Sequence, residues 1–286
     1  MDIKALILDV DGVIVGEKDG YNFPHPNKVV VHALKQIQNN GTPISLCTAK
    51  SHFAITKEIR DADLNNIHIA DGGGVIIDPI NNIIIKQSNL PSKQVSSLIQ
   101  ALIEVDIYVE FYTADTYFIQ ESQAGAITEK HAKIVQSYPK QVTSLAHEAL
   151  RQRITKLMPI AVNEAQKAVI NDIFTPFWDK ITFTWGTNPA ASSLKFGIVT
   201  AKGISKRQGA IEISRSLHIP LENILGVGDS SNDWQFIELC GYGAAMGNAS
   251  EELKDKVRSK GKKQGFIAPS VNENGILEVF RHFCLL

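Results

Sequence analysis

The chain has 286 residues, with 29 lysines and arginines against 30 aspartates and glutamates, for a net charge of -1. That length predicts about two domains, or one large domain with an insertion, and the charge balance excludes a sequence-independent nucleic-acid coat. With 44% hydrophobic and 21% charged residues, the composition excludes a disordered chain and predicts a folded one.

The first element is the apolar run Ala5 to Leu8, ended by Asp9, as expected of a buried parallel strand. Asn27 is placed to cap a helix running to about Gln38, with Val30, Val31, Leu34 and Ile37 on one face and Gly41 as its stop. Pro43 to Cys47 reads as a second strand, then Thr48, a helix over about 51–60, and a third strand at Ile67 to Ala70. This β-α-β-α-β rhythm predicts a parallel sheet with helices on its faces.

The rhythm then changes. Val75–Asp78 and Ile83–Lys86 flank a turn-rich 79–82 and predict a hairpin. From about 89 to 188, helices are expected at 91–104, 144–151 and 163–174. Strands are expected there at 107–111, 115–120, 154–162 and 181–185, which together make an α+β unit. Alternation resumes with a helix over 205–217 and a strand at Asn223–Val227. A helix near 232–239, a strand at Tyr242–Met246 and a helix near 250–258 follow. Phe266–Ala268 and a helix near 275–283 close the chain. The expected fold class is α/β: one core from residues 1–88 and 188–286, with an α+β unit inserted at 89–187.

Cys47, Cys240 and Cys284 lie far apart and form no CxxC, so neither a zinc finger nor a disulfide framework is indicated. No apolar run approaches the ~18 residues of a membrane span, and the first residues lack the form of a signal peptide. A cytoplasmic protein is the expectation, without nucleic-acid or membrane partners.

Chemistry concentrates at two acidic turns. Asp9-Val10-Asp11-Gly12 stands where the first strand ends, and ligands of parallel sheets bind outside the carboxyl ends of strands. Asp9 and Asp11, two residues apart, share a face if extension persists. Two such carboxylates suit Mg²⁺, or a nucleophile paired with an acid/base; a polar loop is the bland alternative. Gly226-Val227-Gly228-Asp229-Ser230-Ser231-Asn232-Asp233 follows another apolar strand. Ser231 stands where a dinucleotide GxGxxG needs its last glycine, so this turn points to metal rather than pyrophosphate; a helix cap is the alternative. Between them, Thr48 with the N–H of Ala49 is placed to hold a phosphate oxygen at a helix start, and Lys206 begins a helix as a candidate cation. Each of these two alone is weak.

The four in order, DxDG, Thr, Lys and GDxxND, resemble the haloacid dehalogenase (HAD) superfamily of phosphohydrolases, most closely its Cof-like, sugar-phosphatase-type branch. Gly203-Ile204-Ser205-Lys206 and Ala245-Met246-Gly247-Asn248-Ala249 also match family stretches. The resemblance implies a Rossmann-like core with an inserted cap. It implies that Asp9 is the nucleophile that becomes an aspartyl-phosphate and Asp11 the acid/base. Thr48, Ala49, Lys206 and Asn232 would attend the phosphate. Mg²⁺ would be held by Asp9, the main-chain carbonyl of Asp11 and Asp229, with Asp233 supporting the metal's waters and Lys206. The substrate class implied is a small phosphorylated metabolite, a sugar phosphate first, acted on by a monomer or homodimer.

Three departures stand out: Thr48-Ala49-Lys50 replaces T-G-R, Asp71-Gly72-Gly73-Gly74 stands near N-G-A, and Trp234 and Phe236 enlarge the last motif. Candidate cap groups above the phosphate are Lys130, His131, Arg151, Arg153 and Asn188, each with a solvated surface residue as the plainer reading. The aromatic runs Tyr108–Tyr112 and Phe174–Trp178 read as packing. Two rival functions remain at this point: a phosphomutase or phosphotransferase of the same fold, and a non-catalytic phospho-acceptor switch.

Overall fold

The computed structural model describes residues 2–286. Its first sheet is five-stranded and wholly parallel. The strands are β1 (Ala5–Leu8), β2 (Ile44–Leu46) and three more from far along the chain. Between β1 and β2, helix α1 (Lys28–Asn39) is capped by the Asn27 side chain, which accepts from Val29 N–H at 3.0 Å. It buries Val30, Ala33, Leu34 and Ile37, and Gly41 follows its end at φ +89°. After β2 the expected helix is split into a short turn at His52–Ala54 and α2 (Thr56–Asp61).

The third strand, β3 (His68–Ala70), touches the parallel sheet through a single bridge from Ile69 to Cys47. Its ladder partner is β4 (Val75–Asp78), which pairs in turn with β5 (Ile83–Gln87), both antiparallel. The hairpin is therefore present as expected, joined to β3 in a small sheet of its own.

The inserted region follows, with α3 (Ser92–Glu104), β6 (Tyr108–Tyr112), β7 (Tyr117–Gln120), α4 (Ala126–Val135) and β8 (Lys140–Val142). Then come α5 (Leu145–Ala149), β9 (Lys156–Ala161), α6 (Glu164–Phe174), β10 (Ile181–Gly186) and β11 (Lys195–Ala201). Its sheet has the order β10-β11-β9-β6-β7-β8. Helices α3, α5 and α6 pack with this sheet around Leu98, Ile99, Phe111 and Phe174. The expected boundary at 187/188 falls inside this unit: β11 pairs antiparallel with both β10 and β9. Gly197 interrupts the apolar run of β11. A Cβ there would come within 2.8 Å of Pro159, so the residue that weakens the strand signal is needed for packing across it. Strand β8 and helix α4 are likewise elements that the sequence pattern did not predict.

The chain then returns to the first sheet through α7 (Lys206–Leu217), β12 (Ile224–Gly228), α8 (Trp234–Ile237), β13 (Tyr242–Ala245), α9 (Glu251–Ser259), β14 (Gly265–Ile267) and α10 (Ile276–His282). The strand order β14-β13-β12-β1-β2 places β1 and β12 side by side, with Leu8 opposite Val227. Residues just past these two strands must therefore meet.

Candidate active site

Asp9 is the first residue after β1, and Asp229 the first after β12. Asp9 N–H donates to Val227 O at 3.0 Å, which carries the strand pairing one step into the site. Carboxylate oxygens of Asp9, Asp229 and Asp233 lie within 4.8 Å of one another. Gly12 makes this approach possible. It has φ +78°, and a Cβ on it would lie 1.9 Å from Asp229 Oδ2. Asn248 braces the same corner, donating to Gly12 O at 3.0 Å and to Asp229 Oδ2 at 3.2 Å while its Oδ1 accepts from Val271 N–H.

Lys206 is 2% exposed. Ser205 caps α7, and Gly209, whose Cβ would lie 2.8 Å from Ile69, lets that helix seat against β3. The helix start thereby carries Nζ to 3.0 Å from Asp9 Oδ2 and 2.6 Å from Asp233 Oδ1. Gly73, at φ +112°, packs its Cα face against the Ser205 backbone from the other side. The second oxygen of Asp233 accepts from the N–H groups of Asp229 and Ser230 and from Ser230 Oγ. Both Asp233 oxygens are thus engaged within the protein. Its place is to hold Lys206 and the 228–230 turn, where Gly228 leaves it room.

Burial, with Asp233 and Asp11 nearby, pushes the Asp9 carboxyl up to about 7 against the opposing pull of Lys206. Asp229 is raised well above the carboxylate range, first by burial and then by Asp233 and Asp9. Burial alone would lower Lys206, but Asp233 and Asp9 outweigh it and hold the ammonium above its ordinary value. Asp11 is partnered by Lys50, Nζ to Oδ1 3.0 Å. Four carboxylates against two ammonium groups leave a formal excess of two negative charges. Crowded hard oxygen donors with that excess fit a divalent cation such as Mg²⁺.

The residues expected to attend a phosphate gather around one cavity. Thr48 and Ala49 follow β2 and line it with Asp9, Asp11, Lys206 and Asn232. Thr48 Oγ1 accepts from Lys50 N–H at 3.1 Å, which folds the loop. Asn232 Oδ1 accepts from the Gln235 amide. The roof is the six-stranded sheet and α4, through Tyr112, His131, Met158 and Phe196. Of the expected cap groups, His131 and Asn188 line the cavity, whereas Lys130, Arg151 and Arg153 are exposed elsewhere. Tyr112 packs as expected, stacked on Tyr117 at 5.0 Å, and Phe174 is buried, but Trp178 is half exposed.

Several site residues escaped the sequence reading. Lys156, 1% exposed on β9, pairs with Asp71 at 3.0 Å and donates to Ala49 O at 2.8 Å. Asp71 also accepts from Ser51 Oγ at 2.6 Å and Thr155 Oγ1 at 2.9 Å. The departure at 71–74 is thus one half of a buried ion pair between the roof and the turn after β3, and Lys156 also reaches the loop after β2. The acid at 71 was its only local signal; a partner 85 positions on in another sheet has no spacing to betray it.

A family model described as haloacid dehalogenase-like hydrolase matches residues 6–280. Phosphatase YwpJ of Bacillus subtilis is 22% identical over 297 residues, covering 98% of this chain and 99% of its own. The B. subtilis 5-amino-6-(5-phospho-D-ribitylamino)uracil phosphatase YwtE is 22% identical over 293 residues, 96% of each chain. Among solved structures, a HAD subclass IIB sugar phosphatase superposes with a TM-score of 0.80 at 22% identity, covering 99% of this chain and 100% of its own. A haloacid dehalogenase-like hydrolase from Bacteroides thetaiotaomicron also reaches 0.80, at 18% identity and 98% coverage of each. With the family model spanning nearly the whole chain and both halves of its acidic site converging at the ends of β1 and β12, this chain belongs to the haloacid dehalogenase-like hydrolases.

Proposed function

We propose that the protein is a Mg²⁺-dependent phosphatase that hydrolyses a small phosphorylated metabolite, a sugar phosphate in class, through an aspartyl-phosphate on Asp9. The observation that carries this reading is the Asp9 carboxylate at the open end of β1, 3.0 Å from a buried lysine and beside Asp229, facing a roofed cavity. Asp9 attacks phosphorus while Asp11 gives its proton to the departing ester oxygen. Asp11 then takes a proton from the water that cleaves the acyl phosphate. Thr48 and the Ala49 N–H receive the phosphoryl oxygens, and Lys206 offsets charge on the nucleophile's side. Asp9, Asp229 and the Asp11 carbonyl would hold the metal, with Asp233 steadying Lys206. The cation supplies what this chemistry needs most, neutralisation between an anionic nucleophile and an anionic ester.

Residues 89–201 are the cap in this reading, and the remainder is the core. The inserted sheet over the cavity also favours hydrolysis over a phospho-acceptor switch, which needs no large insertion. A panel of phosphomonoesters assayed with Mg²⁺, with and without a sugar acceptor, separates hydrolysis from phosphotransfer. Asp9→Asn is expected to lower kcat by about 10³-fold or more, on the scale set by loss of groups acting in the transition state. Turnover that survives this substitution would remove Asp9 as nucleophile.

A further inference from the structure

The roof holds a second charged group that the proposed chemistry does not use. Glu110, on β6, is fully buried. It accepts from the Tyr108 hydroxyl at 3.0 Å, the Tyr112 hydroxyl at 2.6 Å and His131 Nδ1 at 2.9 Å. Burial by itself would raise its carboxyl, but His131 and the two tyrosines bring it below the ordinary glutamate value. The protons can be assigned along the chain of contacts. The single Tyr108 proton is spent on Glu110, so Thr128, 2.9 Å away, donates to the Tyr108 oxygen. Thr128 Oγ1 in turn accepts from Gly125 N–H at 3.3 Å.

An ionised Glu110 requires the proton of His131 on Nδ1. This leaves Nε2 as the one ring nitrogen not committed within the network. Among the described residues Nε2 has no hydrogen-bond partner, and it is not sealed from solvent. His131 lines the cavity that contains Asp9, amid Ile134, Val135, Met158 and Phe196. Every other polar atom of this network is satisfied, and the one that is not belongs to a residue lining the same cavity as Asp9.

We propose that His131 recognises a hydroxyl of the substrate's leaving group through Nε2, with Glu110 as the positioning residue that holds Nδ1 and so the direction of the ring. The proposal rests on the phosphatase reading above and assigns the part of the substrate that the phosphate site does not touch. It selects a leaving group with an apolar face and a hydroxyl, as in a polyol or aldose phosphate, over an aromatic one without hydroxyls.

The test compares kcat/KM for glucitol 6-phosphate and for 4-nitrophenyl phosphate, with Mg²⁺, in the wild type, His131→Phe, His131→Gln and Glu110→Gln. In His131→Phe the ratio of polyol to aryl ester is expected to fall about tenfold, the size of one hydrogen bond, with the change in KM for the polyol ester. His131→Gln, whose amide can donate or accept at the same place, restores most of it. Glu110→Gln lowers the ratio as His131→Phe does. A folding defect lowers both substrates together and leaves the ratio unmoved. An unmoved ratio in His131→Phe, with the wild type active, overturns this proposal alone. A wild type inactive on both esters overturns it together with the phosphatase reading.

Discussion

At the scale of single residues, the site is a problem of too many carboxylates in too little water, and Gly12 shows how narrow the solution is. Gly12→Ala is expected to cost about 1–2 kcal/mol for the left-handed backbone alone. It should also weaken Mg²⁺ binding, because the new methyl must displace Asp229. Thermal unfolding and a metal titration check the two effects separately. Asp9 carries a pH signature. Its proton leaves near 4 in the unfolded chain and at about 7 in the folded one. Between those values the folded state binds more protons, so rising pH destabilises the fold through this group. In chelator, the Tm of Asp9→Asn is expected to gain on the wild type as pH goes from 4 to 7. A gap that stays constant over that range would contradict the raised carboxyl.

At the scale of elements, β9 and the loop after β2 are tied by Lys156. Lys156→Met leaves Asp71 buried without its counter-charge, at an expected loss of about 3–5 kcal/mol in denaturant unfolding. Adding Asp71→Asn should recover part of that loss, since the neutral amide no longer needs the ammonium. Most elements of the parallel sheet were legible because each buries an apolar run or a 3.6-residue face, as α1 does with Val30, Leu34 and Ile37. Helix α4 was not, because its buried face includes Thr128 and His131 and so lacks an unbroken apolar stripe. Strand β11 was obscured by Gly197. In both cases the misleading residue has a job that only the tertiary structure reveals: a polar network in one, clearance for Pro159 in the other.

At the scale of the whole molecule, two distant acidic turns become one site because β1 and β12 are neighbours in the sheet. Asp9, Asp11, Asp229 and Lys206 were legible from motif order. Lys50, Asn248 and Lys156 were not assigned roles, since each acts through a contact that spacing along the chain does not encode. Among the described residues no helix is long and apolar enough to cross a membrane. Mg²⁺ at about 100 times its Kd should stabilise the folded protein by about 2.7 kcal/mol. That appears as a rise in Tm that Asp229→Asn removes; a wild type whose Tm ignores the ion would argue against a cation site.

The pairing of β1 with β12 also sets a timetable for biosynthesis. Leu8 leaves the ribosome more than two hundred residues ahead of its partner Val227. At about 5–20 residues per second, the first strand waits roughly 10–45 s with one edge unpaired. Only β2 can cover the other edge during that interval. A nascent chain of this design therefore carries an apolar strand with one unpaired edge through most of its own translation, the kind of edge that favours aggregation before folding is complete.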